Sequence, residues 1–320
     1  MIITVTLNPL VDKTISVDKL LPGANHRVTN GIEVVGGKGI NVSRAVKNLG
    51  EKTIALSFIG GETGTHLSSL LKQEGIPSIL IRTKSSTRIQ VSLLDESNNK
   101  PTFFIFPNEG VIKPELECLK FELNNILSDN SEKKVLVISG SAPAGDMNNS
   151  IKEIIHIANK FNIITILDSY GKAFKLGLSE KPFIAKQNQK EAEAYFGFGL
   201  NNQDKILDAI RIFLTLGIKF PIITSGKDWV YAGYNGIFWK FIPPVVKTVN
   251  PTGSGDAMAG SIALDLMRYK TEQLTQNQVE KILIKAVAAG AANASVLLPC
   301  GITREMQNNL IPKVKFQQIN

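Results

Sequence analysis

Late in the chain, the run Val249-Asn250-Pro251-Thr252-Gly253-Ser254-Gly255-Asp256-Ala257 sets glycines and a single carboxylate at the mouth of a helix. The residues that follow, MAGSIALDLMRY, are small or apolar at helical spacing. Backbone N–H groups at a helix start lack partners within the helix, and glycine lets an anion come close to the main chain. The amides of Gly253, Ser254 and Gly255 are therefore candidate phosphate ligands. A carboxylate in such a turn repels an anion unless its task is to take a proton from a nucleophile. Asp256 fits that task, because phosphoryl transfer needs alignment, charge stabilisation and a carboxylate to receive a hydroxyl proton. The competing reading is structural: aspartate caps helices well, and the glycines would serve a tight turn.

A second glycine-rich segment lies near the start. Asn8-Pro9-Leu10-Val11-Asp12 follows the first strand-like run, and Gly36-Gly37-Lys38-Gly39-Ile40-Asn41 opens the first clear helix. Asp12 and Asn41 are candidates for orienting vicinal hydroxyls, one accepting and the other both accepting and donating, while Gly36 and Gly37 permit close approach. The plainer readings are a turn aspartate for Asp12 and a solvated lysine for Lys38. Other nucleotide motifs are excluded. A Walker A loop needs lysine followed by serine or threonine, but Gly39 follows Lys38; a dinucleotide fingerprint needs a third glycine where Met258 stands.

The elements that must position these segments alternate in type. Strand-like apolar runs are Ile2 to Leu7, Thr53 to Ile59, Val135 to Ser139, Ile163 to Leu167, Phe183 to Ala185 and Pro221 to Thr224. Between them, Ile40, Ala45, Val46 and Leu49 share a helical face closed by Gly50, and Ile151, Ile154, Ile155 and Ala158 repeat the spacing. Such alternation predicts an α/β protein with a mostly parallel sheet covered on both sides. Arg88 to Asp95, the turn Glu96 to Lys100 and Pro101 to Phe106 read as an inserted β-hairpin. With Thr14 to Val17 it predicts a small second sheet, a lid over the site; the alternative is an edge extension of the main sheet. No repeat, low-complexity tract or linker interrupts the chain.

With 320 residues, 43% apolar and 20% charged, the chain can bury a large core. Its net charge is +8, but the basic residues are dispersed and form no dense run, which points to small anions as partners rather than nucleic acid. No apolar run has membrane-spanning length and the opening residues carry no export pattern, so a cytoplasmic location is expected. Cys118 and Cys300 read as ordinary core or surface thiols.

NPLVD, GGKGIN, the GSAPAG turn from Gly140 to Gly145, Asn188-x-x-Glu191 and PTGSGDAMAG, in this order and at these distances, resemble the ribokinase-like (PfkB) sugar kinases. The resemblance spans nearly the whole chain. It implies a ribokinase-like three-layer α/β/α sandwich over 1–320, as one kinase domain with lid inserts near 12–35 and 86–107. It also implies ATP and Mg²⁺. Asp12, Gly37, Lys38 and Asn41 match sugar-binding positions, and Asp256 matches the catalytic base, with the amides of Gly253, Ser254 and Gly255 as its anion hole. Lys186 and Asn188 match positions near the ATP phosphates, and Glu191 one that organises Mg²⁺ through water. Ser225 and Gly226, in ITSGKDW, match the turn that touches the nucleotide, and Asn293 in the late alanine-rich helix is expected near adenine. Gln187, Ala142 and Ala257 depart from the usual proline, leucine and serine, and Trp229 puts bulk beside the nucleotide turn.

Within the family the chain looks most like the hexose-phosphate branch, which holds the 1-phosphofructokinases and tagatose-6-phosphate kinases. Lys38 does not decide between sugars and sugar phosphates. Arg88, in Ser86-Thr87-Arg88-Ile89, resembles that branch and could grip the phosphate a substrate already carries, assisted by Arg27. The implied reaction is ATP-dependent phosphorylation of a primary hydroxyl on fructose 1-phosphate or tagatose 6-phosphate. TRIQV leans toward the first and NPTGSGD toward the second. A kinase of free sugars or nucleosides is the rival within enzymes; a non-catalytic sugar-phosphate sensor is the rival outside them, against which Asp256, Lys186 and Glu191 argue. The exposed hairpin offers an edge for a homodimer through the lid.

Overall fold

Strand β1 (Ile2–Thr6) is buried at every position, and its side chains alternate between two cores: Ile2 enters one, Ile3 and Val5 the other. Such a strand must have a covered layer on each side. The computed structural model describes residues 1–319 apart from 29–30, 98–99, 108, 146 and 270–272. After β1 come β2 (Leu10–Val17), β3 (Gly31–Gly36), α1 (Lys38–Asn48), β4 (Thr53–Gly60), α2 (Gly61–Gln73), β5 (Ser78–Thr83), β6 (Arg88–Asp95) and β7 (Lys100–Ile105). The middle of the chain forms α3 (Lys113–Ser128), β8 (Val135–Ser139), α4 (Ser150–Lys160), β9 (Ile164–Asp168), α5 (Gly171–Leu178), β10 (Ile184–Asn188), α6 (Gln189–Phe196) and α7 (Gln203–Thr215). The last part forms β11 (Ile222–Ser225), β12 (Trp229–Tyr234), β13 (Ile237–Ile242), α8 (Ser254–Arg268), α9 (Gln276–Ala294), α10 (Arg304–Leu310) and β14 (Lys315–Ile319).

Among the described residues the main sheet runs β14-β13-β12-β11-β10-β9-β8-β1-β4-β5. From β5 to β11 it is parallel, and β12, β13 and β14 extend it antiparallel. Helices α1, α8 and α9 pack on one face with Val135, Val137, Ile166 and Ile222; α3, α4, α5 and α7 pack on the other with Leu136, Ile138, Leu167 and Ile223. Helices α1 and α8 meet at Gly260, where an added Cβ would lie 3.1 Å from Ala45 Cβ, so only glycine admits this approach without displacement. The sandwich is the ribokinase-like architecture expected from the motifs.

The second sheet is separate, with order β3-β2-β6-β7. The edge-extension reading of the hairpin fails because β6 pairs in parallel with β2, Asp12 opposite Gln90, while the edge beside β4 is taken by β5. This sheet contains more than the hairpin and Thr14 to Val17: β2 begins at Leu10, and β3 is added. The predicted turn Glu96 to Lys100 falls partly on 98–99, outside the described residues. Strand β10 runs on to Asn188, three residues beyond the predicted run, and so carries Lys186 and Asn188 to its end. Strands β12 and β13, which the alternation did not announce, are joined by Asn235 and Gly236 with φ of 49° and 78°. That two-residue Asn-Gly turn is a hairpin signal legible in the sequence.

Candidate active site

The C-terminal ends of β1, β8, β9 and β10 deliver Thr6, Ser139, Asp168 and Lys186 to the wall of one cavity of about 430 Å³. This end of a parallel sheet is where α/β proteins place their ligands. Helix α1 supplies Lys38 and Asn41, one turn apart, and the second sheet supplies Asp12, Arg88 and Gln90. Helix α8 closes the cavity with its first turn.

That turn is rigidly built. Gly253 has φ +85°, a left-handed conformation that favours glycine. Asn250, 4% exposed, donates from Nδ2 to Leu297 O (2.8 Å) and accepts at Oδ1 from Thr252 N (3.0 Å). Asn293 donates to Thr252 O (2.8 Å) and Ser254 Oγ (3.0 Å) and accepts from Cys300 N (2.6 Å). A Cβ on Gly255 would lie 3.0 Å from Lys186 Nζ, so an ammonium rests against the start of α8. Asp256, 5% exposed, accepts at Oδ2 from Asn41 Nδ2 at 2.9 Å. Burial first, then the neighbouring Asp168 charge, push its carboxyl up to about 6, against the pull of Lys38, Asn41 and Lys186.

Asp168 joins the charged groups. It accepts from Lys186 Nζ at 2.6 Å and from Lys38 Nζ at 3.0 Å. Burial alone would raise its proton affinity, but the two ammonium groups outweigh it and hold the carboxyl well below its ordinary range. Lys38 also reaches Glu191 Oε1 at 3.1 Å. Glu191 is held by a capping box at the start of α6: its Oε2 accepts from Asn188 N (3.0 Å), and its own N–H donates to Asn188 Oδ1 (2.9 Å). On the second sheet, Asp12 accepts from Ser92 Oγ (2.8 Å) and Gln90 Nε2 (3.2 Å), bonds that partly offset the rise burial imposes on its carboxyl. Arg88 donates from Nη2 to Asn8 O at 3.2 Å, and its buried Nε has no partner among the described residues. A neighbouring apolar cavity of about 390 Å³, lined by Val230, Pro243, Val246, Val287 and Ala291, meets the first at Gly226, Pro251 and Ser254.

A profile of pfkB family carbohydrate kinases matches residues 5–301. The chain belongs to this family. It is 31% identical to the tagatose-6-phosphate kinase of Staphylococcus epidermidis (strain ATCC 12228), covering 100% of this chain and 97% of that one. It is 30% identical to the ATP-dependent 6-phosphofructokinase isozyme 2 of Escherichia coli, covering 91% of each. Among solved structures, phosphofructokinase-2 from Escherichia coli in complex with potassium superposes with a TM-score of 0.87 at 28% identity, over 97% of this chain and 98% of that one.

In this pfkB-family chain the structure gathers most of the sequence-selected residues. Asp12, Gly37, Lys38, Asn41, Arg88, Lys186, Asn188, Glu191, Gly226, Gly253, Ser254, Gly255 and Asp256 all line the one cavity. Three others lie outside its wall. Asn293, fully buried, directs its carboxamide into the turn that opens α8 and onto the Cys300 backbone. Ser225 gives its hydroxyl to Gln189 Oε1 at 2.8 Å. Arg27 is exposed. Lys38 lines the cavity and bridges Asp168 and Glu191. Trp229 pairs with Ser225 and packs edge-on against Tyr231 at 5.1 Å. Gln187 is fully buried and donates to Ser169 O at 3.1 Å. Cys118 is exposed; Cys300 is buried and contacts Gly253 O behind the first turn of α8. Sequence reading missed Asp168, although a carboxylate ending a buried strand in ILDSY is a usable signal. It also missed Gln90 and Ser92 as partners of Asp12.

Proposed function

We propose that the chain is an ATP-dependent kinase that phosphorylates the free primary hydroxyl of a ketohexose phosphate, acting as one unit over 1–320 with lid segments at 12–35 and 86–107. One observation carries this reading: the Asp256 carboxylate lines a single cavity together with Asp12, Arg88 and Gln90 of the second sheet and with the glycine turn of α8, against which Lys186 rests. The substrate hydroxyl gives its proton to Asp256 as its oxygen bonds to the terminal phosphorus, the bond to ADP breaks, and the amides of Gly253, Ser254 and Gly255 take up the charge of the transferring group. The adjoining apolar cavity suits the nucleotide base. Lys38 and Lys186 are engaged by carboxylates, whereas Arg88 keeps a buried donor without a partner, which suits the phosphate already on the sugar.

The relatives' names, tagatose-6-phosphate kinase and 6-phosphofructokinase, put a ketohexose 6-phosphate ahead of fructose 1-phosphate as substrate. Magnesium fits the donor set as an ion held by few protein groups. Glu191 faces the cavity, and no cluster of three or more acidic, histidine or cysteine ligands occurs among the described residues. That matches an ion carried mainly by phosphate oxygens and water. Bound there, Mg²⁺ supplies charge neutralisation on the phosphates. No helix among the described residues is long and apolar enough to cross a membrane, and ATP use favours the cytoplasm.

A homodimer through the second sheet is part of this reading. Phe103, Phe104, Ile105 and Phe106 are 43–59% exposed at the edge strand β7, and one solved form of Escherichia coli phosphofructokinase-2 is a tetrameric inhibited form. Light scattering on the purified chain tests it.

A coupled ADP-release assay with tagatose 6-phosphate, fructose 6-phosphate, fructose 1-phosphate, fructose and ribose tests the function. Turnover is expected with at least one 6-phosphate and to be at least about tenfold weaker with the free sugars, which cannot engage Arg88. Faster turnover of a free sugar would refute the phosphate assignment, and ADP release with none of them would favour the sensor.

A further inference from the structure

Arg44 stands one helical turn after Asn41 on α1 and is 2% exposed. Its guanidinium donates from Nη1 to Asn41 Oδ1 (2.7 Å) and Pro299 O (3.1 Å). From Nη2 it donates to Val35 O (2.6 Å) and Glu74 Oε1 (2.9 Å), and from Nε to Glu74 Oε2 (2.5 Å). All the N–H donors of the side chain are thereby used. The acceptors come from four places: α1, β3, the C-cap of α2 and the loop behind the anion hole. Gly253 packs against that same loop, an added Cβ lying 3.1 Å from Pro299 Cβ.

The bond to Asn41 has a chemical consequence. A carboxamide can present either its oxygen or its NH₂ group to a neighbour by turning over. Facing a guanidinium, only the oxygen is attractive; facing a carboxylate, only the NH₂. Arg44 on one side and Asp256 on the other therefore select the same orientation, with the Asn41 NH₂ on Asp256 Oδ2. We propose that Arg44 is a positioning residue for phosphoryl transfer, locking the Asn41 carboxamide toward Asp256 and pinning the Pro299 backbone that supports the anion hole. The inference rests on Asp256 being the base. The groups facing Asp256 are Lys38 and Asn41 from α1, Asp168 from β9, Lys186 from β10 and Cys300 from the supporting loop. Of these, Asn41 is the one whose orientation Arg44 controls.

Arg44→Lys is the test. Lysine keeps the charge that pairs with Glu74, but one ammonium cannot reproduce a fork that reaches Asn41, Pro299 and Val35 together. The variant is expected to fold, to lose about 10- to 100-fold in kcat with the KM for ATP within about threefold, and to move the acidic limb of kcat/KM upward by about half a pH unit or more. Arg44→Met, which fills similar space without donors, is expected to do the same or more. Glu74→Gln weakens the ion pair but leaves the bond to Asn41, so it should lower Tm while kcat stays within about twofold. Wild-type kcat and limb in Arg44→Lys, an equal kcat loss in Glu74→Gln, or failure of both Arg44 variants to fold would each overturn the proposal. Asp256→Asn separates the two levels: wild-type turnover there overturns the base reading itself, whereas an inactive Asp256→Asn beside an unshifted Arg44→Lys overturns only the role of Arg44.

Discussion

The wall that holds Asp256 and the wall that holds Asp12 and Arg88 fix their polar groups in different ways. Behind Asp256, Asn250, Asn293 and Arg44 are each less than 5% exposed and tie the turn to loops that are distant in sequence. On the second sheet the carboxylate that faces the same cavity is held from within the sheet, Asp12 by Ser92 and Gln90, and the edge strand leaves Phe104 and Ile105 more than half exposed. The contrast separates two jobs. In the proposed reaction, charge stabilisation depends on donors that do not reorganise, which suits the buried wall. In the same proposal, recognition needs complementary groups and a surface under which a substrate can enter, which suits the smaller sheet.

The largest effect should come from the buried wall. Asp256→Asn keeps size and shape but removes the proton acceptor, and kcat is expected to fall about 10²- to 10⁴-fold with KM values little changed, as steady-state kinetics would show. As the proposed base, the same group should set the acidic limb. A carboxyl pushed up to about 6 is protonated, and so useless as a base, below that pH. The wild-type kcat/KM should therefore decline about tenfold per pH unit below the limb and level off above it. A flat profile through this range would break the assignment.

On the other wall, Arg88→Ala should raise the KM for the sugar phosphate about 10- to 100-fold, the scale of a charge-assisted hydrogen bond of about 1.5 to 3 kcal/mol. The KM for ATP should stay within about twofold. An equal loss for both substrates would erase the division between the walls.

How much of this was legible follows the same division. The placement of Asp256 and its glycines on the cavity wall was readable because the pattern is local: a helix start, its amides and one carboxylate occupy adjacent positions. The parallel sheet was readable because β1, β8 and β9 are buried on both faces and carry continuous apolar runs. Asp168 was not, because its partners Lys38 and Lys186 lie 130 and 18 residues away and meet it only where strand ends converge. The bonds of Asn293 were not readable, since its carboxamide is met by the backbone of Cys300 in a loop with no repeating pattern. The hairpin was readable, yet its pairing with β2 depends on a register that no local spacing fixes.

That register leads to the smallest effect. Ser92 stands opposite Thr14 and gives its hydroxyl to Asp12 Oδ1 at 2.8 Å. Ser92→Ala removes one neutral donor from a carboxylate that keeps Gln90, so the loss should be about 0.5 to 1.5 kcal/mol. Placed on a recognition wall, that loss should appear as a rise of about two- to tenfold in the KM for the sugar phosphate, with kcat within about twofold. If kcat fell instead while KM held, Asp12 would be positioning the reacting hydroxyl in the transition state, and the two walls would share the chemistry rather than divide it.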